Sequence, residues 1–100
     1  MFGTIGRARP KDGKADEFNR SGEDWARDIR PKVPGRVLTF AGKSVNRPDE
    51  IIFIALMQDE ATYRNLAEMP EQHTYFERIS ALVDGDITWD DIEVDVINDD

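Results

Sequence analysis

The chain contains no cysteine in 100 residues. Disulfides and thiolate metal sites are therefore excluded, and a cytoplasmic location fits best. Long apolar runs are also missing. The longest, Ile51 to Met57, has seven residues, against the roughly 20 that a membrane-crossing helix needs. The first residues, Met-Phe-Gly-Thr-Ile-Gly-Arg-Ala-Arg, do not have the layout of a signal peptide. Without such a signal, the sequon Asn19-Arg20-Ser21 reads as chance. Histidine occurs once, at His73, with no second ligand at helical spacing, so no metal site is expected. Asp84 to Asp91 is acidic enough for a calcium loop, but Trp89 stands where such a loop needs Gly. No glycine-rich phosphate cradle follows a strand, because Gly3 and Gly6 fall inside one.

Positive charge is scarce in the second half. Residues 1–43 hold ten Lys/Arg and six Asp/Glu, whereas residues 44–100 hold three and fifteen. The net charge of -8 argues against nucleic acid and anionic membranes as partners. From Asp84 onward there are eight acidic residues and no basic one. The uneven division predicts that the two halves lie beside each other and attract; the other reading is an acidic partner-binding tail.

The length suits a single domain over residues 1–100. Phe2 to Arg9 reads as the first strand, weakened by Gly3 and Gly6, and Pro10-Lys11-Asp12-Gly13 ends it. Lys14 to about Lys32 reads as a helix, with Phe18, Gly22, Trp25, Ile29 and Val33 forming one apolar stripe. Arg36–Ser44 and Glu50–Gln58 read as a hairpin around Asn46-Arg47-Pro48-Asp49. Asp59, a good N-cap, opens a helical region reaching Val83. Tyr63, Leu66, Met69, His73, Phe76, Ile79 and Val83 recur there at helical spacing. Pro70 predicts a break near Glu68–Pro70, with the proline opening the second piece. Ile92, Val94 and Val96 alternate with acidic residues as a final strand, which Ile87-Thr88-Trp89 begins early or precedes as a separate segment.

The order βαββαβ predicts an α+β, ferredoxin-like fold: a four-stranded antiparallel sheet in the order 4-1-3-2 with two helices on one face. The acidic last strand then lies beside the first strand, which carries Arg7 and Arg9. The third strand is apolar on both of its faces. Phe53, Ala55 and Met57 point one way; Ile52, Ile54 and Leu56 point the other. Helices cover only one face, so a second copy of the chain is expected on the other, giving a homodimer.

Three segments carry a resemblance. Val33-Pro34-Gly35-Arg36-Val37, Met57-Gln58-Asp59-Glu60-Ala61 and Met69-Pro70-Glu71-Gln72-His73-Thr74-Tyr75-Phe76 resemble the Pro-Gly approach to strand two, the strand-to-helix junction and the His-containing helix segment of one family. That family is the antibiotic biosynthesis monooxygenase-like group of the dimeric α+β barrels. The resemblance implies a pocket between helices and sheet and a small hydrophobic or aromatic ligand. It also implies cofactor-independent oxygenase chemistry on a quinol or phenol, with no bound cofactor. Met57 stands where the junction Trp is common. The haem-degrading branch is not expected, because strand one has no Asn and His73 is in another register.

His73 reads in two ways: as a base or orienting group for a phenol, or as a helix histidine at the core edge bonded to a carbonyl. Trp25 and Tyr63 are candidates to stack on a flat ligand, and equally for plain packing. Phe76, Phe53 and Met57 are pocket-lining candidates for which packing is the stronger reading. Trp89 is expected against a partner subunit. A non-catalytic module that binds a ligand or a protein is the alternative function.

Overall fold

The computed structural model describes residues 1–99; Asp100, the last of the acidic segment, lies outside the described residues. The elements are β1 (Phe2–Ala8), α1 (Ala15–Asp28), a 3-10 turn at Arg30–Lys32, β2 (Val37–Lys43), β3 (Ile51–Met57), α2 (Glu60–Glu68), α3 (Pro70–Ser80) and β4 (Thr88–Glu93). The sheet is antiparallel in the order β2-β3-β1-β4, the expected order read from the other edge. This is a ferredoxin-like α+β fold.

The register assigns every strand residue to a face. Phe2 pairs with Met57, Thr4 with Ala55, Gly6 with Phe53 and Ala8 with Ile51. These residues share the inner face, under the helices. There Phe18 and Ile79 pack with Ala8, Ile51 and Phe53, while Trp25, Ile29, Val33 and Leu66 pack with Met57 and Ala55. Met57 is 1% exposed and is the largest fully buried side chain. The outer face carries Ile5, Leu38, Phe40, Ile52, Ile54, Leu56 and Ile92. Of these Leu56 is buried, while Phe40 is 57% exposed.

Four expectations need correction. First, α1 stops at Asp28, where Pro31 forces a 3-10 turn. Ile29 and Val33 are buried from outside the helix, and Ser21 rather than Gly22 is the buried residue of its middle turn. Second, the helical region after Asp59 is two helices, so three α-helices cover the sheet. Asp59 caps α2 by accepting from the Thr62 backbone N–H at 2.8 Å and its hydroxyl at 2.7 Å. Met69 is extended (φ -67, ψ 133) and Pro70 opens α3, at the expected break. One extended residue resets the helical phase, so Gln72, Tyr75 and Ile79 are the more buried residues of α3, while His73 and Phe76 are exposed at the cavity rim. Third, β4 spans Thr88–Glu93: it begins early, at Thr88 and Trp89, as one of the two expected readings had it, but ends before Val94 and Val96; beyond it the Val94 N–H donates to the Met1 carbonyl at 2.7 Å. Fourth, Gly6 is not a weakness. It pairs with Phe53 on one side and Trp89 on the other, and a Cβ there would lie 2.2 Å from the Phe53 ring. The missing side chain lets those two rings meet edge to face at 5.3 Å.

The charge halves do meet. Arg7 pairs with Glu50, Lys32 with Glu71 and Arg36 with Asp99. All three lie at 3.4 to 3.9 Å, and every side chain but that of Glu50 is well exposed, so they add little stability. Packing on the inner face carries the fold. Met57→Ala is expected to lower unfolding stability by about 2–5 kcal/mol, as full burial of a large side chain dictates. Denaturant titration measures it, and a loss near zero would contradict the central placement of β3.

Candidate functional site

The helices do not fill the inner face of the sheet. A cavity of about 820 Å³ lies between α1, α3 and the sheet, and its lining is mostly apolar. That volume suits a small organic ligand. Each residue singled out in the sequence lines it: His73, Trp25, Tyr63, Phe76, Phe53 and Met57. Their positions within it differ.

Trp25, on α1, is buried. Its indole N–H donates to Gln72 Oε1 of α3 at 2.8 Å, which fixes the ring plane and ties the two helices together. Met57 forms part of the floor. Phe53 sits at the centre of an aromatic group, 6.0 Å from Phe18 and 5.3 Å from Trp89 between ring centroids. Phe76 lies 5.8 Å from Trp89 and is 38% exposed. Trp89 thus belongs to the cavity wall, on the inner face of β4, and not to the outer face toward which a partner was expected. Its indole is 39% exposed at the edge of the sheet.

His73 is at the rim. Its side chain is 73% exposed, and Nε2 lies 3.2 Å from Glu77 Oε1 one turn further along α3. The partner is a carboxylate rather than a backbone carbonyl. The phase reset at Met69 accounts for the position. A single continuous helix would have placed His73 close to two full turns after Leu66, on the same buried face.

Polar groups collect on the β1–β4 side. Thr4 and Asp91 are cross-strand neighbours, and Tyr63 reaches them from α2. The Tyr63 hydroxyl donates to Asp91 Oδ1 at 2.7 Å. Burial, reinforced by the hydrogen bond to the Asp91 carboxylate, pushes the Tyr63 phenol up to about 12. Arg64 Nη1 lies 3.6 Å from Asp91 Oδ2, and its guanidinium covers the rings of Phe2 and Tyr63 at 5.4 and 5.6 Å. Thr4 is 4% exposed, and its hydroxyl, outside ordinary hydrogen-bond geometry, faces the Tyr63 oxygen and slightly offsets the upward push on that phenol.

Reading the sequence did not single out Thr4, Asp91, Gln72 or Tyr75. Thr4 and Asp91 become visible only through the β1–β4 register. Gln72 and Tyr75 emerge once the helix phase restarts at Pro70. No group of acidic and histidine residues suited to a metal ion occurs among the described residues. No helix among them is long and apolar enough to cross a membrane.

Because Tyr63 is held neutral in the folded chain, its contribution to stability is complete below pH 10 and is lost as pH rises through about 12. Near-UV absorbance titration follows the two tyrosines. Burial raises Tyr75 as well, so neither is expected to ionise at an ordinary phenol value. A Tyr63 midpoint at 10 would mean that its hydroxyl stands free in solvent.

No protein-family profile matches the chain, and no curated protein matches it. Solved structures do. A protein from Deinococcus radiodurans, named provisionally as an antibiotic biosynthesis monooxygenase, superposes with a TM-score of 0.80 at 14% identity. The superposition covers 98% of this chain and 97% of that one. A conserved protein from Methanosarcina mazei Go1 superposes at 0.78 with 13% identity, over 91% and 89% of the two chains. A dimeric ferredoxin-like protein of unknown function from Jannaschia sp. CCS1 gives 0.76 at 17% identity, over 93% and 98%. At these identities the likeness is one of fold: the chain has the ferredoxin-like α+β architecture shared by structures named antibiotic biosynthesis monooxygenases.

Proposed function

We propose that this chain is a small-molecule-binding protein of the antibiotic biosynthesis monooxygenase-like family and that its cavity takes a flat, apolar ligand. The observation that carries the reading is the mostly apolar cavity of about 820 Å³ walled by Trp25, Phe53, Phe76 and Trp89, with a few polar groups, Tyr63 and Asp91 among them, in its lining. Aromatic walls stack on planar ligands, and a few convergent polar groups set their orientation. The names carried by several structural neighbours agree with it.

The activity this reading extends to is cofactor-independent oxygenation of a quinol or phenol. Such chemistry needs the substrate hydroxyl deprotonated, so that the electron-rich anion can donate an electron to O₂. His73 is the one imidazole, and it stands at the mouth, where an entering phenol passes. Its pairing with Glu77 would orient the ring and stabilise the imidazolium after proton transfer.

One observation favours the alternative, a non-catalytic binding module. His73 is exposed, and Tyr63 keeps its proton on Asp91, so neither offers a free base deep in the cavity. Both readings include a homodimer joined through the outer face, where Phe40, Ile52 and Ile54 are uncovered to differing degrees. The dimeric name of one structural neighbour supports that arrangement.

Oxygen uptake by the purified protein against quinols and polycyclic phenols separates the two. The oxygenase reading expects turnover with no added cofactor, reduced at least tenfold in His73→Ala with binding retained. Full activity in that variant would remove His73 from the chemistry. Binding without uptake across the panel would assign the chain to the binding module.

A further inference from the structure

The residues that line the cavity are sorted by charge. Eight of the nine aromatic residues, all but Phe2, line it, together with two carboxylates, Glu23 of α1 and Asp91 of β4. None of the thirteen lysines and arginines does. Core packing does not account for the whole aromatic set, because Phe40, Phe76 and Trp89 are exposed.

An aromatic ring is negative over its face, so a wall of rings attracts a cation and repels an anion. Arg64 already uses this beside the cavity, where its guanidinium lies over the rings of Phe2 and Tyr63. No other cation of the chain stands over a ring among the described residues. The carboxylates act in the same sense. Glu23 is exposed and has no ion pair among the described residues. Arg64 faces Asp91 but is shared with Glu60, so one positive charge answers two negative ones. Two donors that an anion would use are taken: the Trp25 indole N–H donates to Gln72, and the Tyr63 hydroxyl donates to Asp91. The net charge of -8 adds a field of the same sign.

Resting on the cavity reading above, and independent of the oxygenase chemistry, we infer that the cavity binds an organic cation: an otherwise apolar, ring-bearing ligand with a quaternary or protonated ammonium group. The apolar part fills the space between helices and sheet. The ammonium group, spread over several carbon atoms and weakly hydrated, leaves water at small cost and gains the faces of the rings. Glu23 and Asp91 balance its charge from the two helix-and-strand flanks. A neutral ligand of the same shape keeps only the apolar contact. An anion of the same shape meets both the ring faces and the carboxylates.

The test uses three ligands that share a benzyl group: benzyltrimethylammonium, its uncharged isostere neopentylbenzene, and phenylmethanesulfonate. Each is titrated at pH 7 into the full chain and followed by tryptophan fluorescence, since both tryptophans line the cavity. The wild type is expected to bind the ammonium about tenfold more tightly than neopentylbenzene, the order of a desolvated cation–π contact, and the sulfonate most weakly. Trp89→Leu removes one ring and keeps apolar bulk. It should cut the preference for the ammonium by roughly threefold, the order of one exposed cation–π contact, with little change for neopentylbenzene. Glu23→Lys, on the exposed flank of α1, should lower the preference as well, and it serves if the leucine variant does not fold. Neopentylbenzene or the sulfonate binding as tightly as the ammonium, or a preference for the ammonium that neither variant lowers, would overturn the inference while leaving the cavity reading intact. Failure of all three ligands to bind would overturn the cavity reading and this inference with it.

Discussion

An extended chain sends successive side chains to opposite faces, so a run of seven apolar residues cannot be hidden by a single layer. Ile51 to Met57 is such a run, and it occupies a central position in the sheet, between β2 and β1. Its odd-numbered residues meet the helices: Ile51 and Phe53 under Phe18 and Ile79, Ala55 and Met57 under Trp25 and Leu66. Its even-numbered residues face away from every helix. The cavity and the open apolar face are therefore two consequences of one strand. Where the helices press on the inner face there is core, where they fall short there is a cavity, and on the outer side Phe40, Ile52 and Ile54 are left partly uncovered by the described residues.

The cavity owes its shape to a few small departures from regularity. Gly6 leaves a gap between its cross-strand partners, and Phe53 and Trp89 close over it. The extended residue Met69 splits one helical region into two and turns Gln72 inward, where it holds the Trp25 indole. The same break turns His73 outward to Glu77. Tyr63 crosses from α2 to Asp91 on β4, the outer strand of that side, and carries the Arg64 guanidinium on its ring. A local backbone choice at one residue thus decides which polar groups of α3 are tucked against the core and which stand at the rim.

Much of the architecture was legible in the sequence because it follows from period and punctuation. Alternation and apolar runs gave the strands, Asp59 and Pro70 marked helix starts, and right-handed crossovers left one strand order. Trp25, Tyr63, Phe53 and Phe76 were legible as aromatic packing positions, since they recur at strand and helix spacing. The phase of α3 was not. The periodic pattern runs unbroken through Tyr63, Leu66, Met69, His73 and Phe76, and only the backbone angles at Met69 show that it restarts. The short alternation of Ile92, Val94 and Val96 misplaced β4, because pairing with β1 fixes that strand and local pattern does not. The polar pole was invisible for the same reason. Thr4 and Asp91 are 87 positions apart and become neighbours only through the ladder between β1 and β4.

The proposed homodimer requires that β3 be covered on both sides: by helices within the chain and by a second copy outside it. Isoleucine methyl groups report on both faces in one NMR spectrum. Ile29, Ile51, Ile79 and Ile87 belong to the buried inner core, Ile5, Ile52, Ile54 and Ile92 lie on the outer face, and Ile97 is 95% exposed. With a soluble paramagnetic agent, strong relaxation of Ile97 and protection of the inner set are expected at every concentration. The outer set should become protected as protein concentration rises, alongside a sedimenting mass about twice the 11.4 kDa of the chain. Outer methyls that relax as strongly as Ile97 at every concentration would contradict the claim and leave the open face facing water.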